Sequence, residues 1–278
     1  MTSTIQMNYK PTVIQKLLGK NYKWWYLMKY NFVARTTYRV DQLFFVLGSV
    51  VTLVGTLIIW WIAGGKVFDA NFQEKLTYFL VGELFYYTIF NFAGFFGVDI
   101  KRGAIAKDLL KPSNYMTYTF VCSIGTAGVQ KIVNISVLGS ALIFFSSYLL
   151  HPGLLNIILT ILLVPISMAI FYFLEILVAF SAFWTTEING IMLNYTFLSR
   201  LLSGKLFPLG LLLSSFSLHI FNPFAFTFYH PMQIYLGKYS PLETFYVFAA
   251  GITWCITLYF LAKWVFKAGL KRNEAIGL

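Results

Sequence analysis

The sequence predicts an all-α, polytopic membrane protein. It would have six transmembrane helices, an N-terminal amphipathic interfacial helix and a re-entrant outer segment after the fifth span. Three observations carry this reading. Apolar residues make up 58% of the 278 residues and charged residues 11%, with a mean hydropathy of +0.71; soluble domains carry about 25% charged residues. Apolar runs at about 42–63, 76–98, 132–150, 157–183, 188–204 and 243–266 approach the roughly 20 residues that a hydrocarbon core about 30 Å thick requires. The basic residues are unevenly placed between these runs. Six spans in this length leave no room for a second folded domain, so residues 1–278 read as one domain.

The leader, residues 1–41, has helical logic. Leu17, Leu18, Trp24, Trp25, Met28 and Phe32 recur at helical spacing, with Lys16, Lys20 and Lys23 on another face. A basic amphipathic helix with Trp at its apolar edge lies in a membrane interface. It would serve as a lipid anchor or also meet a cytosolic partner. No cleavable signal peptide is expected, because the first apolar run starts near residue 42 behind a basic leader.

Residues 99–131 form a cytosolic loop in this reading. The segment 101–111 places Arg102, Ile105, Ala106 and Leu109 on one helical face. Lys101, Ala104, Asp108 and Lys111 fall on another, and Pro112 stops the helix. The Ile105–Leu109 face would rest on lipid or enter a groove on a partner. Residues 117–150 are too long for one span and too short for two. Gln130 and Lys131 therefore mark the inner boundary of the third span, with 113–130 as its cytosolic or interfacial approach.

The fifth span ends at Ser203-Gly204-Lys205. The apolar run that follows is too short to cross, and Asn222-Pro223-Phe224 and His230-Pro231 punctuate the stretch after it. Residues 205–241 are therefore placed on the outer side. The inner side collects seven Lys/Arg in the leader, five around the loop and four near the C-terminus, sixteen of the 21 in all. That asymmetry puts both termini in the cytoplasm. It also assigns the net charge of +11 to membrane orientation rather than to nucleic acid.

Few residues carry chemistry. There is no G-x-x-x-x-G-K-[ST] loop, H-E-x-x-H, G-x-S-x-G or Cys/His cluster. No catalytic residue, metal site or cofactor is expected in this chain. Cys122 and Cys255 read as small buried thiols, and His151, His219 and His230 as outer interfacial residues. Intramembrane acids are costly and face a bundle interior or a wet cavity. Estimated depth pairs Glu83 with Arg200, and Lys131 reaches toward Glu175. These would be structural ion pairs or polar features of a transport path. Asn91, Asn134 and Asn194 share that ambiguity, as interhelical hydrogen-bonding groups or path residues.

Nearly the whole chain resembles the permease subunits of type-2 ATP-binding-cassette exporters, in the bacterial branch of small family transporter proteins. The resemblance rests on Ile100…Arg102-Gly103…Leu109-Leu110-Lys111-Pro112 after the second span, and on Phe183-Trp184 opening the fifth. It also rests on Ser203-Gly204-Lys205-Leu206-Phe207-Pro208-Leu209, Asn222-Pro223-Phe224 and the basic tail Lys271-Arg272-Asn273. It implies that 101–111 is a coupling helix docking on a separate cytosolic ATPase through Lys101, Arg102, Gly103, Ile105, Lys107, Leu109 and Leu110. The leader would be a connecting helix beside it. It further implies a second permease, identical or similar. Spans two and five would line a central path, and the location would be a bacterial plasma (inner) membrane. The substrate does not carry over. The alternative from the residues themselves is an ion-coupled carrier using Glu83 and Glu175 as proton sites. An enzyme acting on lipids would need a nucleophile or metal constellation that the sequence lacks.

Overall fold

In the computed structural model, residues 21–37, 39–64, 70–90, 93–185, 187–206, 209–212 and 215–274 are described, and their regular elements are all helical. Asn91, the first twenty leader residues and the last four of the tail lie outside them. α1 (Tyr22–Thr36) is followed by α2 (Arg39–Gly64) and α3 (Ala70–Ile89). Beyond a break come a 3-10 turn (Ala93–Phe95), α4 (Phe96–Lys101) and α5 (Ile105–Leu109). α6 (Tyr115–Phe144) and α7 (Leu154–Phe180, continued by a 3-10 turn Ser181–Phe183) are the central long helices. α8 (Asn189–Leu202) leads into the short α9 (Leu209–Leu212) and α10 (Phe216–Ile220). A 3-10 turn (Pro223–Thr227), α11 (Tyr229–Tyr235) and α12 (Pro241–Glu274) complete the chain.

Among the described residues, α6, α7 with its 3-10 turn, and α12 are long and apolar enough to cross a membrane. α3 and α4 make a fourth candidate if their two halves, bent by 45°, count as one span. α2 has 26 residues, about 39 Å at the helical rise. The expected fifth span is shorter than its apolar run: α8 has 14 residues, about 21 Å long. It stops because Gly204 takes a left-handed φ of 83°. The N–H groups of Gly204 and Lys205 then fold back onto the carbonyls of Leu201 and Arg200.

α7 is the hub. α12 runs along one side of it, while α3, α4, α8 and α11 all pack on it. Two aromatic layers meet there. One contains Tyr115, Phe180 and Phe183 near the loop end, with Tyr115 and Phe266 stacked at 4.8 Å. The other joins Tyr78, Phe79, Tyr86 and Phe171 to Phe228 and Tyr229 of the 205–241 segment. That segment is not a loose loop. Its helices have four, five and seven residues, and Phe226, Phe228, His230 and Met232 are completely buried.

Two expectations about α1 and α6 change. Residues 113–130 are not a separate approach, because α6 runs unbroken for 30 residues from an Asn114 N-cap. The leader helix is packed along α6 rather than lying alone in an interface. Gly125 and Gly128, one helical turn apart, let it in: a Cβ on Gly125 would stand 2.4 Å from the Met28 carbonyl oxygen. A Cβ on Gly128 would stand 2.6 Å from the Phe32 ring.

Candidate functional site

Glu83 on α3 does not pair with Arg200. Its carboxylate meets the Lys205 ammonium at 2.9 Å, and both side chains are about 95% buried. The reason is the Gly204 turn, which ends α8 early and swings the next residue back toward α3. The turn is held from three sides. Tyr78 donates its hydroxyl to the Gly204 carbonyl at 2.9 Å, Tyr229 N–H donates to Ser203, and the Asn222 amide donates to Leu202. The Lys205 ammonium also lies 3.7 Å from the centroid of the Tyr86 ring. A cation that must leave water gains from an aromatic face as well as a carboxylate.

Lys131 and Glu175 do not pair either. The Lys131 ammonium donates to the Thr88 carbonyl at 2.9 Å, at the C-terminal end of α3. Glu175 accepts from the Gly94 N–H at 3.3 Å, in the turn that leads into α4. Each charge therefore serves one side of the same break between α3 and α4. Helix ends leave carbonyls and N–H groups without internal partners, and the helix dipole favours a cation at the C-terminal end and an anion at the N-terminal end. Glu83 and Glu175, the acids an ion-coupled carrier would need, are thus both engaged in bonds within the fold.

Between α2, α3, α6, α7 and α8 lies a cavity of about 530 Å³. Tyr86, Phe90, Phe171 and Tyr195 form aromatic walls, and Gln130, Glu175 and Arg200 supply polar groups. α3 and α8 both line it. Glu175 and Arg200 share this cavity. Tyr86 and Tyr87 lie between it and the buried Lys205–Glu83 pair. Asn194 is exposed on α8 and is not among the lining residues. Asn134 is buried on α6.

The loop is two helices rather than one. Gly103 has φ 72° and closes α4: its own N–H and that of Ala104 return to the carbonyls of Ile100 and Asp99. The chain then restarts as α5. This rotates Ile105 inward, into the core with Ile100, Tyr115 and Met116, where it is 3% exposed. Ile105 is therefore an anchor and not a surface contact. Leu109 is 43% exposed and Leu110 86% exposed. Lys101, Arg102 and Lys107 are exposed around them. Lys101 reaches Glu187 at 3.9 Å, tying the loop to the entry of α8. Lys111 bonds Asp108 and the Tyr118 hydroxyl. Burial lowers its pKa, but these bonds outweigh that and hold its ammonium above the usual value.

Residue-by-residue reading missed Lys205, Gln130 and the role of Gly103 as a helix stop. The signal for the first was present in Ser203-Gly204-Lys205, since Gly after an apolar helical run is a common helix end. No curated protein and no solved structure matches the chain. The model of the ABC-2 family transporter protein family does match, over residues 45–277. With its long apolar helices and that match across nearly its whole length, the chain belongs to the ABC-2 family as a membrane permease of an ABC transporter.

Proposed function

We propose that this permease couples ATP hydrolysis by a separate cytosolic ATPase to movement of a substrate out of the cell, working with a second permease in a bacterial plasma membrane. In this reading the chain has six spans, α8 serves as the fifth, and the 205–236 segment is the outer lid of the path. Both termini are cytoplasmic. No catalytic step belongs to the chain itself.

The observation that carries the proposal is the build of the loop. An exposed pair, Leu109 and Leu110, stands among Lys101, Arg102 and Lys107 on a short helix fixed beneath by buried Ile105. An apolar pair ringed by cations suits a partner groove with an acidic rim. Closure of the ATPase on nucleotide would push α5. Ile105 and the α4 core contacts would pass that push to α7 and to the walls of the cavity.

The test is co-purification. Leu109→Glu with Leu110→Glu is expected to lose the ATPase while the permease stays monodisperse. Arg102→Glu with Lys107→Glu is expected to weaken it in a salt-dependent way. Retention of the ATPase and of transport-stimulated hydrolysis by the Leu109/Leu110 variant would overturn the proposal.

A further inference from the structure

We infer that the cavity between α3 and α8 receives an amphipathic anion, its acidic head on Arg200 and its apolar chain against the aromatic walls. This rests on the transport reading and names the chemistry of its cargo. Three observations converge. The cavity holds one acid and one guanidinium, but the acid already accepts a backbone N–H, from Gly94. Arg200 is exposed at the cavity and has no carboxylate within 4.0 Å among the described residues. A guanidinium binds carboxylate and phosphate in a two-pronged fashion, so the vacant charge selects an anion.

The second observation is Gln130. It is 5% exposed, it lines the cavity, and its side-chain oxygen has no hydrogen-bond partner. A buried acceptor without a partner is unusual. A ligand N–H or O–H would satisfy it. The third is the wall chemistry. Tyr86, Phe90, Phe171 and Tyr195 line it with aromatic surface that suits an acyl chain or a ring, and the volume is that of sites holding drug-sized molecules. The Lys205 ammonium behind Tyr86 is neutralised by Glu83, which leaves Arg200, among the described residues, as the cation without a carboxylate at this wall. An organic cation is disfavoured there.

The test uses the full-length permease in phosphatidylcholine nanodiscs, with a diazirine-bearing N-dodecanoylglycine as photoprobe. Its methyl ester and a diazirine-bearing dodecyltrimethylammonium serve as comparison probes. Labelling by the acid is expected on residues 86–98 and 189–200. Arg200→Gln is expected to weaken it about tenfold, the scale of one charge-assisted hydrogen bond, and Arg200→Lys to weaken it less, since an ammonium keeps the charge and loses the two-pronged geometry. Labelling by the ester is expected to be indifferent to Arg200. Gln130→Leu is expected to weaken labelling by the amide-bearing acid more than labelling by hexadecanoic acid carrying the same diazirine.

Equal labelling by acid and ester in the unmodified protein would overturn the inference. So would preference for the cation, or labelling by the acid that survives Arg200→Gln. If Arg200→Gln fails to fold, the acid-to-ester ratio in the unmodified protein decides alone. Adding phosphatidylglycerol separates two sources of the same chemistry: displacement assigns the site to a bilayer lipid, and no displacement to a free amphipath. Co-purification of the ATPase is read in the same samples. An ATPase that stays bound while the anion preference is absent sinks this inference and leaves the transport reading standing.

Discussion

Glu83 shows where reading by depth succeeds and fails. An acid seven residues into an apolar run must have a cation near it, and one is there, at 2.9 Å. The partner is Lys205 rather than Arg200, because depth along a straight helix takes no account of the turn at Gly204. Lys131 and Glu175 fail in the same way. Depth alone makes each the half of an ion pair, whereas each serves a helix end at the break between α3 and α4. Removing one member of a buried pair strands a charge and costs about 3–5 kcal/mol. Glu83→Gln alone and Lys205→Met alone are each expected to lower the melting temperature of the purified permease strongly. The double variant is expected to be more stable than the worse single one, because no charge is then left unpaired. Arg200→Gln is expected to leave that temperature nearly unchanged. Rescue of Glu83→Gln by Arg200→Gln, and not by Lys205→Met, would restore the pairing first inferred from depth.

At the scale of elements, glycines decide what periodicity leaves open. The leader was legible as a helix from its spacing, but its docking on α6 was not. That docking depends on the absence of side chains at Gly125 and Gly128, which hydropathy patterns do not register. Gly125→Val would press against the Met28 backbone, which cannot retreat as a side-chain tip can. Overpacking of this kind costs about 1–3 kcal/mol. Faster amide exchange across residues 22–36 is expected, with α12 unaffected. Gly139→Ala, on the same helix where nothing lies within 4 Å, is expected to be neutral or to stabilise by about 0.5–1 kcal/mol. If both variants exchange alike, α1 is not held by the glycine pair. The loop teaches the same lesson. Continuing the helical face through Gly103 places Ile105 and Leu109 together, whereas the left-handed turn buries the first and exposes the second. Gly103→Ala would force a side chain into that region at about 1–2 kcal/mol. It is expected to loosen α5 and weaken ATPase binding without disturbing α7.

For the whole molecule, the long apolar helices α6, α7 and α12 were legible because unbroken apolar length has few other solutions. The aromatic stretch 76–98 concealed its break, since the 45° bend between α3 and the helical turns from Ala93 comes without a change of hydropathy. The 188–204 run concealed the shortness of α8 for the same reason. Sidedness rests on charge placement, and a reporter at residue 278 is expected to react only from the cytoplasmic side. The central claim is that the loop between α4 and α6 meets an ATPase. The most direct measurement is photocrosslinking in intact cells from a benzophenone amino acid placed singly at positions 105, 107 and 110. The account predicts strong crosslinks from 107 and 110 to one ATP-binding protein and none from buried 105. Crosslinks from 107 and 110 to lipid alone, or an equal yield from 105, would contradict it.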